Sequence, residues 1–368
     1  MDHVRSSERH GNVARYTLQS MHPNPPESSI SRLEKISSST LDHLISVNVV
    51  RSGTSRIIVA DQRSLPRDMK LDEVANHLLG HGDPANGLGG EHYQLNKVAI
   101  WNPSSEDVAE FHFFSLDPSL RTITSGSECG HAAAAVGMVA AISEPDRFDP
   151  TSVPIHSLDT KQRFEYRTHD TTRFWNATCT LELTADTDDS SIHSETLRPG
   201  HRAEIRFDVV LHGNSFALVS GMIGLESSDI RRAIVTSTSE VARRNHRVNC
   251  GEEYVRIIPY EIEWQSEIAG TVIASCFNGA ARHKSLPISG AIALCDCLAL
   301  KRVAEHPPAD DVEDLHFSFM LESPHSTKPG GVRLVRRDGT WVVERTGYEA
   351  DIRLLFSCQA IIPLKRGR

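Results

Sequence analysis

Apolar positions along the first half of the chain change spacing in a regular way. Mostly apolar segments at Ile45–Val50 and Arg56–Ala60 predict two strands. The small residues of Arg51-Ser-Gly-Thr-Ser55 between them predict a hairpin turn. From Leu71 to Leu79 the spacing becomes helical, and a Gly-rich loop follows, Gly80 to Gly90. Strands are expected again at Asn96–Trp101 and Val108–Ser115. Thr122–His131 then leads into Ala132–Ala141, a run that is helical by propensity and slender enough to be buried on every side. Strands at Val153–Ser157, Arg163–Arg167 and Thr178–Leu183 complete the half.

The second half repeats the outline. Strands are predicted at Glu204–Leu211 and Ser215–Ser220, a helix at Ser227–Arg243, and extended segments at Glu261–Ile268 and Thr271–Cys276. Lys284–Leu300 reads as a second apolar helix, with Pro287 in its first turn, where a missing N–H costs nothing. Strands follow at Leu315–Glu322, Gly331–Arg336, Thr340–Arg345 and Glu349–Ser357, and Arg337-Asp-Gly is a hairpin signal. The duplication is one of architecture, not of residues. It predicts an α+β fold of two pseudo-symmetric lobes, each a curved mixed sheet wrapped around a central helix, with both helix N-termini aimed at the seam. The expected divisions are a poorly ordered leader over 1–42, an N-terminal lobe over 43–195 and a C-terminal lobe over 196–345. A terminal strand over 346–368 is left free to return to the first lobe.

Composition narrows the function classes. The 368 residues suffice for two lobes, and 39% hydrophobic with 24% charged residues is ordinary for a globular protein. A net charge of −9 argues against a nucleic-acid partner but not against a small anion met by a local cluster of donors. No apolar run approaches a membrane span, and the Ser/Pro-rich leader lacks the apolar core of a secretory signal. Seven cysteines without a CxxC pair suggest free thiols in a reducing, cytoplasmic setting, which makes the sequon at Asn176 accidental.

Cys129 is the strongest chemical candidate. It follows the Ser125-Gly126-Ser-Glu turn and opens the Ala-rich helix, where free N–H groups and the dipole favour a thiolate or a bound carboxylate. Gly126 and Gly130 let backbone approach a ligand, and His131 comes next. Lys97 is the only charge in Leu95–Trp101. It either snorkels outward or faces a cleft, where burial would make it a usable base. Arg51, Ser52, Gly53, Thr54 and Ser55 form a turn that could hold a carboxylate or could be a surface hairpin. His283, Lys284 and Ser285 open the second apolar helix and could mirror the Cys129 turn. Pro324–Gly331, which contains Ser326, is either a connection or a binding loop. Cys295 and Cys297 are two apart on a helix and cannot chelate one metal. No P-loop, dinucleotide fingerprint or nucleophile elbow occurs, so no cofactor and no metal are expected.

Taken together, these segments resemble the 2-methylaconitate cis–trans isomerase family of the diaminopimelate epimerase-like fold. The resemblance rests on Arg51–Ser55, on Gly89 and Gly90 with Lys97-Val-Ala, on Ser125–His131, on His283–Ile292 and on Pro324–Gly331, all in the family's order. It implies two lobes with the site between them, no cofactor, and Lys97 and Cys129 as a proton-transfer pair facing one another across the cleft. The implied reaction shifts a double bond, allylic or cis–trans, in a small unsaturated carboxylic acid. Aconitate and a larger acid of secondary metabolism both fit. A racemase or epimerase of the same fold is the second reading and a non-catalytic binding protein the third. The expected partner is the substrate alone, without nucleic acid or membrane, and a homodimer is left open. The chain departs from the family pattern at Ser52, at the inserted Glu128, at His131 and in the late loop.

Overall fold

The computed structural model describes residues 42–82, 87–104, 107–117, 122–168, 177–184, 192–197, 204–221, 225–245, 251–278 and 281–363. The expected leader, apart from Asp42, and the sequon at Asn176 lie outside the described residues. His43–Ile362 cluster as one compact unit.

The fold is α+β, with four α-helices among the described residues and strands that all belong to one sheet system. The first half opens with β1 (Asp42–Ser52) and β2 (Ser55–Asp61), paired antiparallel. The turn between them needs Gly53 at φ 52°. Helix α1 (Leu71–Leu78) crosses over to β3 (Lys97–Pro103), which runs parallel to β2. β4 (Ala109–Asp117) returns antiparallel. β5 (Thr122–Ser125) leads to α2 (Gly130–Ser143). β6 (Ser152–Ser157) is parallel to β4, and β7 (Arg163–Thr168) and β8 (Ala177–Thr184) follow antiparallel.

The second half repeats these steps. β9 (Ile192–Leu197) leads into the hairpin β10 (Ile205–His212) and β11 (Asn214–Ser220), whose turn holds Gly213 at φ 60°. Helix α3 (Ser228–Arg244) crosses over to β12 (Val255–Trp264), parallel to β11, and β13 (Ala269–Ala274) returns. Two-residue strands, β14 (Phe277–Asn278) and β15 (Ala281–Arg282), precede α4 (Ile288–Glu305). β16 (Asp314–Ser323) is parallel to β13, and β17 (Ser326–Arg337) and β18 (Thr340–Pro363) follow. β18 pairs with β17, then with β8 over Arg345–Ile352, and also with β1.

Helix α2 is buried from Gly130 to Ala141, as its small side chains allow. It shares one hydrophobic core with α4, whereas α1 and α3 are amphipathic and cover separate clusters. The helix N-termini of α2 and α4 meet: a Cβ on Gly130 would lie 2.7 Å from Ile288 Cβ.

Several elements differ from their sequence-based limits. β12 starts at Val255, because Val255–Tyr260 is a mainly buried strand without alternation, and it ends at Trp264. Pro287 is the N-cap of α4, which begins at Ile288, since the residue before a proline is pushed out of helical geometry. Pro324–Gly331 is not a loop; Pro324 and His325 make a tight turn and β17 starts at Ser326. The two predicted C-terminal strands are one. The Asp338-Gly339 hairpin has both central residues at positive φ, 51° and 79°, as a type I′ turn requires. No helix among the described residues is long and apolar enough to cross a membrane.

Candidate active site

A cleft of about 1000 Å³ opens over the first turns of α2 and α4. Cys129 is the N-cap of α2, in extended geometry at φ −143°, and its carbonyl accepts from the N–H groups of Ala132 and Ala133. Its own N–H donates to Glu128 Oε1 at 2.8 Å. Lys97, the first residue of β3, is 8% exposed. Its ammonium donates to Ser55 Oγ at 2.9 Å and lies 3.7 Å from Cys129 Sγ. The two side chains therefore touch and share one wall of the cleft. This corrects the expectation that they face one another across it. The reason is topological: β3 and α2 belong to the same half, and β3 lies against the sheet face that covers the helix.

The turn around Glu128 is clamped. Asn214 accepts from the Glu128 N–H at 3.3 Å and donates to its carbonyl at 2.7 Å. Thr160 Oγ1 donates to Glu128 Oε2. Burial nevertheless pushes the Glu128 carboxyl up to about 7, against the lowering effect of these hydrogen bonds. Burial also holds His131 neutral, its pKa lowered to about 3 with help from the Lys97 charge. His283 is lowered to about 2 by burial, then by Lys97, Arg256 and His131. Its ring meets Tyr93 edge-on at 5.2 Å, and its Nδ1 is 3.4 Å from Gln94 Nε2. The inner cleft thus combines a cysteine, a lysine and two neutral imidazoles.

Of the residues singled out by sequence, Lys97, Cys129, Gly130, His131 and His283 line the cleft. Directly behind them, Gly53 packs on His131, where a Cβ would come 2.7 Å from Nε2. Thr54 Oγ1 is 3.2 Å from Ser285 Oγ and joins the two halves, while Ser52 Oγ is buried without a partner. The others stand away from the lining. Arg51 is exposed and bonds back to Gly53 O. Gly89 O accepts from Arg56, and Gly90 is paired through its backbone with Asn96. Ser125 O accepts from Tyr254, and Gly126 supplies a positive φ of 83°. Lys284 is exposed, and Ser326 bonds across its own hairpin to Ser323.

Sequence reasoning missed Ser289, Asn214 and Arg256. Ser289-Gly290 lies in the first turn of α4, near where Cys129-Gly130 caps and opens α2, so the repeat itself held that signal. Arg256 is the only charge in Val255–Tyr260, the same pattern that marks Lys97. His77 and His81 are also spaced four apart, as metal ligands could be. His81 bonds His77 at 2.9 Å and, through its other ring nitrogen, Asn76, and no group of three potential ligands occurs among the described residues.

No protein-family model matches the chain, and no curated protein matches it by sequence. Solved structures do match. A methylitaconate-delta-isomerase superposes with a TM-score of 0.56 at 16% identity, covering 88% of this chain and 97% of the other. A hydroxyproline epimerase from Agrobacterium vitis, with bound trans-4-hydroxy-L-proline, gives 0.56 at 16% identity, covering 87% and 93%. A probable proline racemase from Agrobacterium radiobacter K84, with bound carbonate, gives 0.54 at 15% identity, covering 86% and 92%. At such identities the likeness shows the fold alone: this chain has the diaminopimelate epimerase-like fold that these isomerases and racemases share.

Proposed function

We propose that the protein is a cofactor-independent isomerase that shifts a double bond in a small unsaturated carboxylic acid, with Lys97 and Cys129 as its proton-transfer pair. The observation that carries this reading is the 3.7 Å contact of Lys97 Nζ with Cys129 Sγ on one wall. An allylic shift on one face of a substrate needs a proton taken from one carbon and another returned two carbons away. Two adjacent groups of different reach suit that task. One member of the pair takes the proton, the other delivers one, and transfer between them resets the site. The dienolate formed between the two steps is an anion, and the first amides of α2 and α4, which have no preceding helical turn to donate to, are suited to stabilise it.

Racemisation makes a different demand, an acid and a base on opposite faces of one carbon. From the second half the cleft is lined by Ser289, whose hydroxyl does not ionise near neutral pH, and by His283, whose imidazole burial keeps neutral, so neither carries a charge for exchange. The shared wall therefore favours the double-bond isomerase. Itaconate and trans-aconitate incubated with the protein in D₂O, followed by mass spectrometry, should take up deuterium. Cys129→Ser and Lys97→Ala should each abolish most of that uptake, by about a hundredfold or more. Full turnover in both variants would sink the assignment, and exchange at a single carbon with inversion would point to a racemase.

A further inference from the structure

The two halves each place one cation at the same point of their repeat. A 3-10 turn, Tyr93–Leu95, precedes β3, and Lys97 follows its last residue by two. A 3-10 turn, Glu252–Tyr254, precedes β12, and Arg256 follows its last residue by two. Each cation's strand then runs parallel to the second strand of a hairpin, with Ile57 opposite Lys97 and Phe216 opposite Arg256. Both side chains line the cleft. Their surroundings differ. Lys97 contacts Ser55 and Cys129. Arg256 uses Nη1 on two backbone carbonyls, Glu253 O at 2.7 Å and Val255 O at 2.9 Å. Among the described residues its Nε and Nη2 make no hydrogen bond, and no carboxylate lies within ion-pair distance. The nearest acid in sequence, Glu253, is turned back on Gly251, where a Cβ would come 2.4 Å from Glu253 Oε2. Burial lowers the Arg256 pKa, while Cys276, Tyr93, Cys129 and, more weakly, the Glu253 carboxylate act against it. Arg256 is half-buried, and a guanidinium in a cleft with two donors left over is suited to bind the anion of a ligand.

We infer that Arg256, the pseudo-symmetric counterpart of Lys97, is the residue that holds the substrate's carboxylate, bonding it through Nε and Nη2. Arginine suits this role and not the proton-transfer role, since it offers a planar fork and does not deprotonate. The same position of the repeat thus serves as a proton-transfer group in the first half and an anion clamp in the second. It also reassigns the anion clamp from the Arg51 turn, whose guanidinium is exposed and bonded to its own loop. This inference deepens the isomerase reading and rests on the same cleft, but it is tested by binding. Iodoacetamide alkylation of Cys129, read by mass spectrometry of its peptide, should be slowed saturably by crotonate, itaconate or trans-aconitate. Arg256→Gln should weaken that protection about ten- to a hundredfold, and Arg256→Lys should retain part of it. Circular dichroism would check that both variants fold, and if Arg256→Gln does not, the loss shown by Arg256→Lys decides. Equal protection in wild type and variants, or no protection of the wild type by any of the three acids, overturns the assignment. Protection lost in Arg256→Gln without any deuterium uptake by the wild type leaves the carboxylate site standing and removes the isomerase.

Discussion

Glu128 is the residue whose surroundings contradict its ordinary chemistry most directly. Its carboxyl is buried beside the Cys129 N–H and titrates near 7, whereas in the unfolded chain it ionises near 4.5. Between those values the folded state keeps a proton that the unfolded chain has lost. Stability therefore falls as pH rises through that window and stays reduced above it, by at most roughly 3 kcal/mol. Glu128→Gln keeps the acceptor for Cys129 and removes the charge. Its thermal midpoint should gain on the wild type between pH 5 and pH 8, and an unchanged difference across that range would refute the assignment. The sequence exposed Glu128 as an insertion in the cysteine turn, but not its burial. That depends on Asn214 and Thr160, 86 and 32 residues away. Lys97 shows the same limit: one charge in an apolar strand left two readings open, and only Ser55 and Cys129 beside it decide between them.

At the scale of elements, α2 depends on the absence of side chains. Gly137 lies where a Cβ would be 2.4 Å from Tyr166 Cβ and 3.0 Å from Ile155 Cδ1. Those neighbours sit on β7 and β6, which are fixed by their own ladders and cannot retreat. Gly137→Ala should cost about 3 kcal/mol despite alanine's better helix propensity, read as a lower urea midpoint at unchanged slope. A neutral or stabilising result would mean that helix and strands are looser than this packing. The Ala-rich composition made this helix legible, because propensity and slenderness agree over ten successive residues. The start of β12 was not legible, since a strand buried on both faces has no alternation to read. The late loop was misread for another reason: Pro and Gly mark turns in general, yet Pro329, Gly330 and Gly331 are paired strand residues here.

For the whole molecule, the chain closes on itself through β18. This strand starts in the second half, pairs with β8 of the first and reaches β1, where Ser357 bonds to Asn48 and Gln359 to Ser46. Ile362, 1% exposed, packs among Ile45, Val47 and Val49 on β1. Ile362→Ala should cost about 3 kcal/mol. Ending the chain after Arg353 should cost more and expose apolar surface, measured as a lower melting midpoint with increased binding of a hydrophobic dye. A truncated chain as stable as the full one would show that the terminal strand does not lock the fold. Local patterns gave two strands here and no hint that they are one, because Thr346-Gly347-Tyr348 between them is held extended by pairing with β17 on one side and β8 on the other.

By itself the sequence determined the order of elements, the repeat of strand, helix and buried helix, and the place of Cys129 at a helix start. These follow from periodicity, propensity and capping, all of which act over a few residues. It also marked Lys97 as the one charge in an apolar strand. Only the tertiary structure decided that Lys97 touches Cys129 on one wall, that the Arg51 turn stands outside the cleft, and that Arg256 lines it with no ion-pair partner among the described residues. Those outcomes depend on which strands run parallel and on how two helix N-termini meet. Contacts between distant segments set burial and charge, and burial and charge set the chemistry.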